Sequence, residues 1–114
     1  MKINTFEDII CWQKAKVLTV EIYQAFQLLK DCGFKDQIQR AVVSILNNIA
    51  EGFERQSNKE LVKFLYIAKG SCAEVRSMLY IARELKYIRE NDFKRLLNMC
   101  LEISKMLSSF IKTL

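Results

Sequence analysis

A chain of 114 residues has the length of one domain, and its 51% hydrophobic and 27% charged residues exclude a disordered protein. The complete lack of proline and the presence of only three glycines argue against a β-sandwich or barrel, which needs many turns. The net charge is +5, and residues 58–114 carry all of the excess, with eleven basic and six acidic side chains. A basic half suggests an anionic partner.

The first predicted helix covers residues 5–30. Thr5 is the expected N-cap, and Gly33 stands where a left-handed C-cap would end this helix. Its apolar residues recur in steps of three and four, as on one helical face. These residues are Cys11, Ala15, Leu18, Ile22, Ala25 and Leu29.

The same periodicity predicts three more helices over residues 34–54, 58–87 and 90–113. Four helices with short links pack as antiparallel neighbours, so we expect one all-α, up-and-down four-helix bundle over residues 1–114. The first and third helices would each be roughly 40 Å long. We call the row of apolar residues on the inner face of a helix its seam. The clearest seam is that of the third helix, which consists of Leu61, Leu65, Ala68, Cys72, Val75, Leu79 and Ala82. The seam of the fourth helix consists of Phe93, Leu96, Cys100, Ile103, Leu107, Phe110 and Leu114.

Several classes of protein are not expected. The longest uncharged run, Ala41 to Ala50, is half the length of a bilayer span, and no signal peptide fits the N-terminus, so we expect a cytoplasmic protein without a membrane partner. No histidine occurs, so neither a zinc site nor a di-iron site is predicted, and we expect no cofactor. Cys11, Cys72 and Cys100 are predicted to be buried as small hydrophobic residues. No nucleophile motif or phosphate loop indicates an enzyme.

A second apolar row on the third helix predicts self-association, because four helices of this length would not hide all of it. The alternative is a wide stripe that packs against two neighbouring helices of the same chain. The first helix adds Ile10, Val17 and Phe26 outside its seam, and the fourth adds Leu97, Leu101 and Ile111. The predicted interface residues are Phe64, Ile67, Met78, Ile81 and Leu85.

A third row on the same helix alternates basic side chains with tyrosines. Basic groups neutralise phosphates and tyrosine rings stack on unpaired bases, so this row predicts a nucleic-acid interface for RNA or DNA. The alternative is an ordinary solvated face with tyrosines at the edge of the bundle. Lys63, Lys94 and Arg95 could widen the patch. The predicted contacts are Lys59, Lys69, Arg76 and Arg83, with Tyr66, Tyr80 and Tyr87 for stacking.

Three segments resemble the bacterial family of ribosomal-RNA intervening-sequence proteins, a ribosomal-protein-like family without an established biochemical role. They are Phe6 to Ala15, Asp36 to Phe53 with its Ser-Ile-x-x-Asn-Ile-Ala-Glu-Gly motif, and Lys59 to Glu74. The resemblance covers residues 6–114 and implies a four-helix bundle that assembles as a ring, commonly a homopentamer. It also implies a likeness to the accessory protein of diversity-generating retroelements, which binds nucleic acid and a reverse transcriptase.

The resemblance gives the motif a structural interpretation. Gly52 and Gly70 lie inside helices, where glycine costs about 1 kcal/mol relative to alanine, so another helix is expected to pass close to each. Glu51 and Glu74 are expected to accept hydrogen bonds or ion pairs from Arg40 or Arg55. The predicted buried polar network consists of Arg40, Ser44, Asn48 and Glu51.

Two functional hypotheses remain from the sequence. The first is a non-enzymatic homo-oligomer that binds nucleic acid through the basic row. The second is a scaffold that docks a protein partner through its outer helices and binds no nucleic acid.

Overall fold

A computed structural model describes residues 3–114, and in that range it contains four α-helices and no strand. Consecutive helices pack against each other and the first packs against the last, which makes an antiparallel up-and-down bundle. The predicted all-α four-helix bundle is therefore confirmed. A 3-10 turn at Phe6–Asp8 precedes α1 (Ile10–Phe26), α2 (Cys32–Glu54), α3 (Asn58–Glu84) and α4 (Glu90–Lys112).

The lengths of α1 and α3 differ more than the sequence indicates. With 27 residues α3 is about 40 Å long, which matches the 42 Å long axis of the molecule. With 17 residues α1 is only about 26 Å long, so the predicted length is wrong for α1. The residues that were predicted to be helical but are not lie at the two ends of α1, where the chain adopts other local structures.

At the beginning of α1, Asp8 holds the chain in the short 3-10 turn. Its carboxylate oxygen Oδ2 accepts hydrogen bonds from the backbone N–H groups of Asn4 and Thr5, at 3.0 and 3.1 Å. These hydrogen bonds lower the pKa of Asp8. Thr5 therefore precedes the 3-10 turn, and the prediction that it caps α1 is wrong, because Ile9 is extended and separates the turn from the helix.

Between α1 and α2, Asp31 rather than Gly33 sets the helix boundary. Its Oδ1 accepts a hydrogen bond from the backbone N–H of Phe34 at 3.1 Å, as an N-cap does. Gly33 then lies in the first turn of α2 and has no positive φ. The prediction that Gly33 ends the first helix is wrong, because the aspartate starts the second helix two residues earlier.

The other two links turn on left-handed residues that are not glycine. Gln56 has φ of 55° and Lys86 has φ of 59°. After α3, the N–H of Tyr87 donates to the carbonyl of Ala82 and that of Lys86 donates to the carbonyl of Arg83, which is a Schellman motif. Because this motif ends α3 at Glu84, the predicted end at residue 87 is three residues late.

Each helix buries the seam that faces the bundle axis. The predicted α3 seam is buried in full, as is that of α4 through Leu107. On α1, Phe26 is buried and Ala25 is exposed, which reverses the prediction, because the Phe26 ring packs against Phe34 with centroids 5.7 Å apart.

The three buried cysteines are those predicted from the sequence. Cys11, Cys72 and Cys100 are free thiols in the core. Burial raises the pKa of Cys11 to about 11 and that of Cys72 and Cys100 to about 12, so these side chains stay protonated at neutral pH. They act as small apolar residues in the packing of the bundle.

Residues 3–114 contain neither a membrane-spanning helix nor a cluster of metal-ligating side chains. None of these helices combines the length and apolar character needed to cross a membrane. In the same range, no three side chains of histidine, cysteine, aspartate or glutamate converge as a metal site would require.

Candidate nucleic-acid interface

The second row of α3 divides into exposed and buried residues. Ile67, Ile81 and Leu85 are 52%, 46% and 52% exposed. Met78 is only 7% exposed, so its assignment to an outer interface is wrong: the row slants across the helix and carries Met78 into the core. Phe64 is partly buried, with the Arg55 guanidinium 5.1 Å from its ring centroid.

The two helical glycines differ in their surroundings. A Cβ atom on Gly52 would lie 2.6 Å from the Cβ of Phe64 and 3.1 Å from Cδ1 of Leu61, so α2 and α3 approach closely at Gly52 as predicted. A Cβ atom on Gly70 would meet nothing within 4 Å. The predicted close approach is therefore wrong for Gly70 within the described chain.

The polar network of the motif is smaller than predicted and includes Ser71. The Asn48 amide donates to the carbonyl and the hydroxyl of Ser44 at 2.7 and 2.9 Å, and the Ser71 hydroxyl donates to Ser44 Oγ at 2.9 Å. This network joins α2 to α3.

Arg40 and Glu51 are exposed, so their place in the buried network is wrong. Glu74 accepts a hydrogen bond from Gln37 at 3.4 Å rather than from an arginine. Arg40 and Glu51 are exposed on α2 and Glu74 is exposed on α3, so these side chains reach solvent more readily than the core, which accounts for both differences.

The predicted basic row of α3 faces α4 over only part of its length. Lys69 and Arg76 are partly buried beside α4, whereas Lys59 lies about 15 Å from Lys69 along the helix and is exposed. Arg83 is also partly buried, with its guanidinium 4.3 Å from the ring centroid of Phe93 and 5.4 Å from that of Tyr80. The middle and the C-terminal end of α3 therefore supply the cations beside α4.

The three tyrosines of the row have different surroundings. Tyr66 is exposed, and the exposed ring of Tyr80 rests edge-on against Phe93 at 5.3 Å. Tyr87 is not available for stacking, which contradicts its assignment. Its ring packs against Phe34 at 5.3 Å, and its hydroxyl donates to Asp31 Oδ2 at 2.8 Å.

Several cations outside this row have acidic partners. Lys63 pairs with Glu60 at 3.5 Å, so it does not widen the patch. Arg95 pairs with Glu21 of α1 and with Asp92 at 3.2 Å. Lys14 pairs with Glu102 at 3.6 Å, so the charges along the α1–α4 contact largely cancel.

On the side of α4 that faces α3, an open cavity of about 450 Å³ is lined by basic side chains and no acidic ones, unlike the α1–α4 contact. In the described chain, none of its three lysines has an acidic partner within 4 Å. We call this cavity, with the smaller one beside it, the α3–α4 groove. The cavity is lined by Lys69, Leu101, Ser104, Lys105, Ser108, Ser109 and Lys112.

The sequence reasoning missed the half of the groove that α4 supplies. Lys105 and Lys112 are seven residues apart, so they lie on one face of the helix. The serines at positions 104 and 108 lie along the same side. This row of serines and lysines is visible in the sequence. It indicates a binding site only once the structure places Lys69 of α3 in the same cavity.

A second cavity of about 300 Å³ continues the groove, because Leu101 lines both. It contains Arg76, whose Nε atom is shielded from solvent and has no hydrogen-bond partner in residues 3–114. An unsatisfied buried donor costs about 1–3 kcal/mol, so a shift of the Arg76 side chain that brings Nε to an acceptor would recover that energy. The cavity is lined by Ala73, Arg76, Ser77, Tyr80, Leu97 and Leu101.

Comparisons with known proteins agree with this architecture. The model of the 23S rRNA-intervening sequence protein family matches residues 7–109. The chain is also similar to a protein of unknown function from the S23 ribosomal protein family of Bacteroides thetaiotaomicron, known from a crystal structure at 1.70 Å resolution. The TM-score is 0.84 and the identity 28%, over 90% of this chain and 99% of that one. No curated protein matches the chain.

Proposed function

The chain belongs to the 23S rRNA-intervening sequence protein family, and from that premise we propose that it binds nucleic acid through the α3–α4 groove without catalysing a reaction. The ligand is RNA or DNA, recognised first by its phosphates. The groove offers lysine ammonium groups and serine hydroxyls, which are both common phosphate contacts.

The observation that carries this proposal is the contrast between the two sides of α4. Toward α1, the cations Arg95 and Lys14 meet the carboxylates of Glu21 and Glu102. Toward α3, the lysines of the groove share their cavity with serines and with no carboxylate. Unpaired cations on one side of a helix repel each other, and an anionic ligand would remove that repulsion.

The aromatic residues favour a nucleic acid over a small anion. Tyr80 lines the groove, and Tyr66 is exposed about one helical turn before Lys69 on α3. A base that stacks on an exposed aromatic ring contributes about 1–3 kcal/mol, in addition to the phosphate contacts. A free phosphate would gain nothing from these rings.

Charge reversal within the groove tests the proposal. The variant K69E/K105E/K112E should lose binding to a labelled RNA in a gel-shift titration at low salt. The control K16E/K30E/K94E changes three exposed lysines outside the groove and also takes the net charge from +5 to −1. It should retain most of the affinity. Equal loss in both variants would show that only the overall charge matters.

We also propose that the chain self-associates through its outer apolar faces. Ile67, Ile81 and Leu85 are exposed on α3, and Ile10 and Val17 are exposed on α1. Because α1 and α3 lie diagonally in the bundle, the two faces point in different directions. Two unlike faces suit head-to-tail contact between copies, which closes into a ring such as the expected homopentamer.

The surroundings of Gly70 support this self-association. Gly70 lies one helical turn after Ile67 on the outer side of α3, and no atom of its own chain would touch a Cβ there. A helix of a second copy could approach closely at this position. Such an approach would account for a glycine that costs helix stability without benefit inside one bundle.

The same exposed faces favour a second candidate, a scaffold that binds another protein. Large exposed apolar patches mark protein interfaces of either kind. Capture of a protein partner that survives nuclease and high salt, without any binding of RNA or DNA, would support the scaffold over the nucleic-acid-binding function.

A further inference from the structure

The two cavities of the α3–α4 groove have different chemistry. One is lined by three lysines and three serines, which suits phosphate oxygens. The other is lined by Leu97 and Leu101, by the aromatic side chain of Tyr80, by Ala73 and Ser77, and by one cation, Arg76. A pocket that combines leucine and aromatic side chains with a single charged group resembles a small-molecule site more than a track for a sugar–phosphate backbone.

A nucleobase has the properties that the second cavity requires. It is planar and apolar on its faces, so it can pack against leucine side chains and stack on a tyrosine ring. Its polar atoms lie on its edge, where one guanidinium can reach them. A base in a duplex is stacked and paired, so only an unpaired base can enter this pocket.

Arg76 restricts the choice of base. A guanidinium has only donors, and Arg76 is the cation that lines this cavity, so the group that it meets must be an acceptor. Guanine presents two neighbouring acceptors, O6 and N7, to such a fork. Adenine presents a donor at N6 beside N7, so on this edge it places a donor against the arginine. An unpaired cytosine does present two neighbouring acceptors, N3 and O2, but its single ring covers less of an aromatic side chain than a purine does.

Building on the proposed function, we infer that the Arg76 cavity binds one unpaired guanine of a single-stranded nucleic acid. Arg76 donates to O6 and N7, Tyr80 supplies a stacking face, and the phosphates of the strand continue past Leu101 to the lysines. The groove thus distinguishes both strand state and base, whereas the lysines alone would bind any polyanion.

Fluorescence anisotropy with labelled RNA octamers tests this inference. The probes are octauridylate strands with guanosine, adenosine, cytidine or 7-deazaguanosine at one central position, and the guanosine strand annealed to its complement. The guanosine strand should bind about tenfold more tightly than the adenosine strand, as expected for one bidentate pair, and more tightly than the cytidine strand, whose smaller ring stacks less. The 7-deazaguanosine strand, which lacks the N7 acceptor, and the duplex should bind more weakly than the guanosine strand.

Two variants separate base recognition from phosphate binding. R76K keeps the charge but loses the planar fork, so the preference for guanosine should fall to about one. K69Q/K105Q/K112Q should weaken binding to all strands by a similar factor and keep the preference. If R76K does not fold, the 7-deazaguanosine strand gives the same information with the unaltered protein.

The outcomes distinguish the inference from the proposed function. Equal affinity for all four single strands, or duplex binding as tight as that of the guanosine strand, overturns the guanine pocket and leaves nucleic-acid binding intact. No binding to any strand overturns both.

Discussion

At the scale of single residues, an acidic partner decides which cations can bind a ligand. Arg95 and Lys69 are both basic residues beside a neighbouring helix, yet Arg95 pairs with Glu21 of α1, whereas Lys69 lines a cavity with serines and no carboxylate. An exposed ion pair contributes only about 0–1 kcal/mol to stability, but it does cancel the local field. The groove keeps its field because it contains no carboxylate partner.

Tyr87 is the residue whose role differs most from its sequence pattern. Its hydrogen bond to Asp31 lowers the pKa of Asp31 and raises its own pKa. A lowered carboxyl pKa adds stability above the ordinary value of 3.8, which is lost as the pH falls through the folded value. A raised phenol pKa adds stability below the ordinary value of 10.0, which is lost as the pH rises through the folded value.

We therefore expect Y87F to melt at a lower temperature than the unaltered protein at pH 7. The difference should shrink as the pH falls below 3.8 and as it rises above 10.0. Thermal unfolding followed by circular dichroism across this pH range measures it. Y66F is the matched control, because Tyr66 is an exposed tyrosine on α3 without a side-chain hydrogen bond in residues 3–114, so this variant should show no such dependence. A difference that does not vary with pH would contradict the hydrogen bond.

Residues that act across helices could be predicted only in part. Lys69 and Arg76 were found because they share one helix and one period. Lys105 and Lys112 were missed because their relation to Lys69 depends on how α3 and α4 pack. The hydrogen bond between Tyr87 and Asp31 was missed for the same reason, because the two residues are 56 positions apart and no sequence pattern near Tyr87 predicts this contact.

At the scale of the helices, the apolar period predicted the seams well and the ends poorly. The seam of α3 is buried over its whole length, because steps of three and four follow directly from helix geometry. The ends depend on local caps. Asp31 starts α2 early, and Lys86 takes a left-handed conformation that is usually expected of glycine.

The α2–α3 contact gives a prediction at this scale. G52A should destabilise the protein by about 1–2 kcal/mol, because the new methyl group would overlap Phe64 on the facing helix. Urea denaturation followed by circular dichroism measures the change.

G33A is the matched control on the same helix. Its methyl group would meet only Asp31 Oδ1, at an ordinary 3.8 Å, so the gain in helix propensity should leave the protein as stable or slightly more stable. Equal effects of G52A and G33A would show that α2 and α3 do not approach as closely as described.

At the scale of the whole molecule, the outer apolar faces predict an assembly. Light scattering of the purified protein should give a mass several times that of one chain. I67E/I81E should reduce this mass to that of one chain while the helical content stays the same, because both side chains are exposed within the bundle. G70A should weaken the assembly in the same direction. A single-chain mass for the unaltered protein at all concentrations would refute self-association.

The fold, the charge imbalance and the assembly expectation came from the sequence because each is a property of one helix or of the whole composition. The candidate site could be identified only from the structure, because its residues lie on two different helices. Lys69 and Lys105 line one cavity only in the folded bundle.

The salt dependence of binding to single-stranded RNA tests most directly whether the lysines of the groove contact phosphates. Each phosphate contact on a single strand contributes a slope of about −0.7 in log affinity against log salt concentration. The slope for K69Q/K105Q/K112Q should therefore be less steep than that of the unaltered protein by about 2. Identical slopes for the two proteins would contradict the groove as the phosphate-binding site.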